Sequence, residues 1–306
     1  MEKLTVVKFG GSAIGVDGEG LPTILDRINH LKTDSKVIVV CSAPLTKIGE
    51  KKHSLTDVML NLGNSMASGD NPNVDTIANS YAKIIQMMND GLKEECQKKI
   101  DEMLSLALKS LQDANEQGKF EDEVRAKALA YSGEVLMSHV MNFLLKSNGI
   151  KSESVSLDDW PIITDNNIES TNFLFEKSNE RIEKLERLIK ENDVVLIGGF
   201  IGMTEDGTIT TYERGGSDRT AADIGILFHK KYNTVIDLEK DSSVVSADPK
   251  IVQNELEDVM QLSYNEARLA GMFGMKIIDP IAIKEILENG VDMPGGFYAG
   301  AVAAEG

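Results

Sequence analysis

Five short apolar runs, at residues 5–9, 36–41, 154–157, 194–197 and 234–238, alternate along the chain with stretches of helical periodicity. A half-buried strand alternates apolar and polar residues, but VIVVC and VVLI are apolar throughout and need cover on both faces. The pattern predicts an α/β fold with a central, mostly parallel sheet and helices on both faces. The longest helical stretch is expected over residues 81–117, interrupted near 89–91. There Ile84, Ile85, Met88, Ile100, Met103, Leu104, Leu108 and Leu111 recur at three- and four-residue spacing and read as core. A chain of 306 residues with 42% hydrophobic content can bury one large domain or two lobes sharing a cleft. The glycines and polar residues between 198 and 208 mark the expected lobe boundary.

Four segments carry residues suited to chemistry. Residues 210–221, TTYERGGSDRTA, set Gly215, Gly216 and Ser217 between the Arg214 guanidinium and the Asp218 carboxylate. Glycines let main-chain amides approach an anion, an arginine fork matches a planar carboxylate, and Asp218 can orient Mg²⁺ or a phosphoryl acceptor. The same segment also fits a polar glycine turn capping a helix that starts near Ser217. At the amino end an apolar run leads into Lys8, Phe9, Gly10, Gly11 and Ser12, which can place an ammonium and several N–H groups around a polyphosphate. GxGxxG and GxxxxGK[ST] are both absent, which excludes the dinucleotide fingerprint and the Walker P-loop. Ser132-Gly133-Glu134 opens an apolar run and puts a carboxylate in the first turn of a helix, where the dipole favours it; an ordinary capping acid would look the same. Residues 262–280, LSYNEARLAGMFGMKIIDP, read as a packed helix ended by Phe273 and Gly274, with a short strand beginning at Lys276.

The formal net charge of −17 disfavours nucleic acid or an anionic membrane as partner, while a local cluster of Lys8, Lys250 and Lys276 keeps ATP binding open. No apolar run reaches the roughly 18 residues that span a bilayer, and no signal pattern opens the chain, so a cytoplasmic protein is expected. Cys41 and Cys96 are too few for a disulfide framework, and Cys41 reads as a small buried hydrophobe. His30, His53, His139 and His229 are scattered, and no structural metal site is expected.

Taken in order, KFGGS (8–12), Cys41-Ser42-Ala43, SGE (132–134), GGFIG (198–202), RGGSD (214–218), SADPK (246–250) and the 262–280 segment resemble the aspartate kinase family of the amino acid kinase superfamily. The resemblance implies one catalytic domain over 1–306, with an acceptor-binding lobe (about 1–200) and a nucleotide-binding lobe (about 201–306). It implies ATP and Mg²⁺ as cofactors and L-aspartate as the acceptor. It assigns Lys8 to the transferring phosphate beside Gly10, Gly11, Ser12, Gly215 and Gly216. Glu134 is assigned to the substrate ammonium, Arg214 to a carboxylate, and Ser217 and Asp218 to the acceptor and metal side. Ser42 is a further contact, and Lys250 and Lys276 are the cations for the nucleotide. The family's hydroxyl in the following loop corresponds to Thr46 or to Thr56, because this chain carries extra residues at 47–54.

Several positions depart from the family. Residues 239–250 lack its glycine and aromatic, Ala13 replaces a hydroxyl, Glu213 stands for a glycine, and Asp279 stands for a histidine. Another acceptor of the same fold, such as homoserine, and a catalytically silent amino-acid-binding subunit therefore stand as alternatives. Family members continue into paired ACT modules, whereas this sequence stops at Gly306, so a catalytic domain without ACT modules is expected. A homodimer through the helices of 81–141 is expected from their apolar content.

Overall fold

The computed structural model of the chain describes residues 1–70, 73–213, 215–239, 264–272 and 278–291. In chain order its elements are β1 (Lys3–Phe9), α1 (Gly11–Ile14), α2 (Leu21–Leu31), β2 (Lys36–Cys41), β3 (Leu45–Ile48), β4 (Lys51–Ser54), α3 (Leu55–Ala67), α4 (Asp75–Ile85), α5 (Asp90–Gln117), α6 (Asp122–Ser132) and α7 (Glu134–Ser147). There follow β5 (Ser152–Ser154), α8 (Phe175–Asn179), α9 (Glu183–Glu191), β6 (Val194–Gly198), β7 (Ile201–Met203), β8 (Ile209–Thr211), α10 (Gly216–Phe228), β9 (Asn233–Glu239), α11 (Tyr264–Met272) and α12 (Pro280–Asn289).

Strands β5, β6, β2, β1 and β9 form one sheet in that order, and every neighbouring pair is parallel. The inner strands β1, β2 and β6 are buried almost throughout, as strands covered on both faces must be. Strand β9, next to β1 alone among the described residues, carries Asp237 and Glu239, and both are paired by Arg27 of α2 (2.6 and 2.5 Å). The strand expected at 154–157 lies instead at Ser152–Ser154. Val155 N–H still reaches Leu196 O (2.8 Å), but beyond it Asp159 N–H folds back on Ser156 O (3.1 Å) and the chain enters a one-turn helix.

Helix α7 packs along β2, β5 and β6, α10 along β1, β2 and β9, and α2 and α9 also lie on the sheet. The long helical stretch is broken where the sequence places the break, between α4 and α5. Asn89 takes extended backbone there, and its N–H donates to Ser147 Oγ (2.7 Å). The apolar stripe of these helices is buried within the one chain, against α3, α6 and α7. Among the described residues, no helix is long and apolar enough to cross a membrane. Both cysteines are buried and unpaired, and burial pushes the Cys96 thiol up to about 12.

Parallel strands put all their carboxyl ends at one edge, where α/β sheets hold their ligands. There β1 runs into Gly10 and Gly11, β2 into Ser42, and β6 ends at Gly198 against the start of α7. A Cβ on Gly198 would lie 2.8 Å from Val135 N and 2.9 Å from Glu134 C. Gly198→Ala must therefore push α7 off the sheet, and we expect a loss of roughly 1–3 kcal/mol in urea unfolding. A loss below about 0.5 kcal/mol would show that α7 moves freely.

Candidate functional site

Lys8 stands near the carboxyl end of β1, between Val40 of β2 and Leu238 of β9. Its Nζ lies 2.8 Å from Asp218 Oδ1, and the two side chains are only 8% and 5% exposed. Asp218 belongs to the first turn of α10, a helix whose 13 residues are all buried. The cap before that turn, Gly215, has φ 96°, a left-handed conformation that suits glycine. The other Asp218 oxygen accepts the main-chain N–H of Asp279 (3.2 Å), and Asp279 Oδ1 in turn caps α12 through Ile281 N (2.8 Å) and Ala282 N (3.1 Å). A Cβ at Gly10 would stand 3.2 Å from Lys8 Nζ, so the first glycine leaves the ammonium room for a ligand.

Glu134 opens α7 from a turn held by Tyr81, whose hydroxyl donates to Ser132 O (3.0 Å) and Gly133 O (3.1 Å). Its carboxylate is buried. Oε1 accepts from Thr56 Oγ1 (3.2 Å), and Oε2 has no hydrogen-bond partner. Burial drives the carboxyl up to about 7, against the hydrogen bonding of its own main chain, Thr56 and the Ala43 main chain. Glu134 and Thr56 face Gly215, Gly216 and Ser217 across a cavity of about 460 Å³, walled on its apolar side by Leu60, Leu129, Phe200 and Tyr212. Phe200 N–H donates to Thr220 Oγ1 (3.0 Å), which ties the turn after β6 to α10.

The two threonines point to different carboxylates. Thr46 Oγ1 donates to Asp17 Oδ1 (3.0 Å), whereas Thr56 points at Glu134. Gly10, Gly11, Ser12 and Ser42 gather at the ends of β1 and β2 rather than in the cavity wall; Ser12 is exposed on α1, and Ser42 N–H donates to Phe9 O (3.3 Å). Arg214, Lys250 and Lys276 lie outside the described residues, although Glu213 and Gly215, the chain neighbours of Arg214, both line the cavity. The cavity rim also holds residues the sequence reading missed. Arg125 of α6 pairs with Glu169 in the loop before α8, Ser170 Oγ donates to Glu213 (3.1 Å), and Asp57 follows Thr56. No local pattern joins Arg125 to Glu169, since the fold alone brings them together.

The Glu134 environment has a measurable consequence for stability. In the unfolded chain this carboxyl loses its proton near its ordinary value of 4.5, whereas in the folded chain it does so near 7. Between those values the folded state holds the extra proton, so stability falls as pH rises through the window and stays low above it. Glu134→Gln cannot ionise. We expect its thermal midpoint to match that of the natural chain at about pH 4 and to exceed it at about pH 8. A difference independent of pH would contradict the buried, under-partnered carboxylate.

The sequence matches the model of the amino acid kinase family over residues 3–293. Aspartokinase 3 of Bacillus subtilis is 26% identical over 293 residues, 94% of this chain and 60% of that protein. The aspartokinase of Rickettsia felis is 30% identical over 163 residues, 53% of this chain and 39% of that protein. This chain thus spans well under two thirds of the length of these relatives. Among solved structures, E. coli aspartokinase III in complex with lysine and aspartate superposes with a TM-score of 0.73 at 20% identity, over 95% of this chain and 61% of that one. The same protein in complex with aspartate and ADP gives 0.73 at 20% identity, over 94% of this chain and 60% of that one. The likeness establishes the fold, and with the family match across nearly the whole sequence this chain belongs to the amino acid kinase family.

Proposed function

We propose that the chain is a cytoplasmic ATP-dependent kinase that phosphorylates the side-chain carboxylate of L-aspartate to 4-phospho-L-aspartate. The observation that carries this reading is Glu134 Oε2, a buried acceptor without a partner on a cavity whose far wall is the glycine start of α10. Such an oxygen suits an ammonium, and the amides of Gly215, Gly216 and Ser217 suit an anion. The aspartokinase relatives supply the substrate class.

The chemistry then follows from charge. An ionised acceptor carboxylate needs no general base; its oxygen attacks the γ-phosphorus as the bond to ADP breaks, and ADP leaves with the electron pair. Positioning and neutralisation remain for the protein. Glu134, oriented by Thr56, holds the ammonium, and Arg214 holds the α-carboxylate. Lys8 meets the charge that develops on the transferring phosphoryl, and Asp218 keeps its ammonium aimed at the strand ends. Among the described residues, no group of three or more His, Cys, Asp or Glu could hold a metal. A Mg²⁺ would be held mainly by nucleotide phosphates with Asp218 as its protein carboxylate, where it would neutralise phosphate charge. Lys250 and Lys276 hold the nucleotide in the 201–306 lobe.

A second reading, transfer to the hydroxyl of an acceptor such as homoserine, is favoured by the lining itself. Among the described residues it sets Asp57, Glu134, Glu169 and Glu213 against Arg125 alone, which suits a less anionic ligand. Two readouts on the purified chain with MgATP and an amino-acid panel separate the readings. Aspartate should give ADP together with a hydroxamate in hydroxylamine, because only an acyl phosphate is trapped. ADP without hydroxamate would identify a hydroxyl acceptor, and no ADP with any acceptor would mean a silent binding subunit. Lys8→Gln is the informative variant, since its amide keeps a donor beside Asp218 while removing the positive charge, whereas Lys8→Ala removes both. We expect Lys8→Gln to fold and to lose roughly 10²–10³ in kcat. Near-normal turnover would remove Lys8 from the phosphoryl site.

A further inference from the structure

Behind the cavity wall, α10 carries two buried charged residues that the proposed chemistry leaves unused, Arg219 and Asp223. The Arg219 guanidinium carbon lies 4.5 Å from the centre of the Tyr212 ring. One of its terminal nitrogens lies 3.6 Å from Glu285 Oε1 on α12, and the other donates to Thr171 O (3.4 Å). Each partner belongs to a different boundary of the site. Tyr212 lines the cavity. Thr171 closes the loop that carries Glu169 to the rim, and its N–H donates to Thr211 O (3.2 Å) beside Tyr212. Glu285 rides on the helix capped by Asp279, whose N–H donates to Asp218 (3.2 Å). Tyr212 is held at its far end as well, where its hydroxyl donates to Asp223 Oδ2.

Stability alone does not account for this arrangement. Arg219 Nε, Asp223 Oδ1 and Glu285 Oε2 are buried without hydrogen-bond partners. A buried ionic network left partly satisfied holds helices together no better than apolar side chains of the same volume. What it supplies is direction, because a planar guanidinium stacked on a ring and bonded at its edges fixes several neighbours at once. Burial and the nearby Glu285 push the Asp223 carboxyl well above its ordinary range, against the pull of Tyr212 and Arg219. Asp223 therefore accepts from Tyr212 without adding a full negative charge beside Glu285.

We propose that Arg219 is a positioning residue that clamps the Tyr212 wall, the Thr171 loop and α12 onto α10, so that the acceptor cavity and the Asp279–Asp218 contact keep one fixed relation. As a statement about catalysis it rests on the kinase reading above; as a statement about the fold it does not. The test combines peptide-resolved hydrogen exchange with steady-state kinetics on the full chain. Arg219→Met and the charge-keeping Arg219→Lys should each speed exchange by at least about tenfold in residues 209–213 and in α12 together, while β1 and β2 stay unchanged. Each should raise the acceptor KM about tenfold and leave the nucleotide KM within about twofold. The double variant Arg219→Met/Glu285→Gln removes the stranded carboxylate, so its thermal midpoint should recover while the acceptor KM and the exchange of both segments do not.

Faster exchange in only one of the two segments, or a uniform rise across the chain, would overturn the clamp. So would recovery of the acceptor KM together with the midpoint in the double variant, since a role in packing alone predicts that result. If the natural chain turns over no acceptor, the kinase reading falls, and the exchange of the two segments still decides the clamp.

Discussion

An ammonium near the end of a central parallel strand has no access to bulk water and must find its counter-charge inside the protein. Lys8 finds it in Asp218, and much of the architecture follows from that pairing. The pair draws the first turn of α10 against the strand ends, so the helix must continue across β1, β2 and β9 and is enclosed along its whole length. An enclosed helix can carry polar residues only if the interior answers them. Asp218 receives the Asp279 N–H, Thr220 receives the Phe200 N–H, and Asp223 receives the Tyr212 hydroxyl. Those partners come from the cap of α12, from the turn after β6 and from the segment after β8, and the last two bound the cavity.

The residual imbalances fall into two kinds. Glu134 Oε2 is unpartnered in a residue that lines the cavity. Arg219 Nε and Glu285 Oε2 are unpartnered and do not line the cavity. Each such atom costs about 1–3 kcal/mol, and a chain selected for stability alone would have replaced them. Under the kinase reading, the cost at Glu134 is offset on binding. Behind the wall it is offset only by geometry, which is why that network reads as a device for holding parts in register.

The sheet was legible because continuous β-branched runs have few alternatives. The break before α5 was legible because Asn89 and Gly91 interrupt an otherwise steady helical period. Lys8, Glu134 and Asp218 were legible from short motifs, since each motif couples a charge to the glycine or helix start that positions it. What the sequence does not carry is pairing at a distance. Nothing near Arg125 announces Glu169, and nothing in Tyr212 announces Arg219 stacked on its ring, because such contacts exist only once α6, α10 and the intervening loops have packed. An apolar stripe shows that something must cover it, and here the cover is α3, α6 and α7 of the same chain.

The residues at 45–54 fold back on themselves next to the site. They form the β3–β4 hairpin, turning at Gly49 with φ 62°, so the chain returns to where it left: Leu45 stands opposite Ser54, and Leu55 N–H donates to Pro44 O (3.0 Å). Ser54 then caps α3 by accepting from Asp57 N (3.0 Å), and the first turn of that helix carries Thr56 to Glu134. Closing a short loop on itself costs little and displaces nothing downstream. The hairpin therefore returns the chain so that Thr56 meets Glu134, while Thr46, on the outgoing strand, turns toward Asp17.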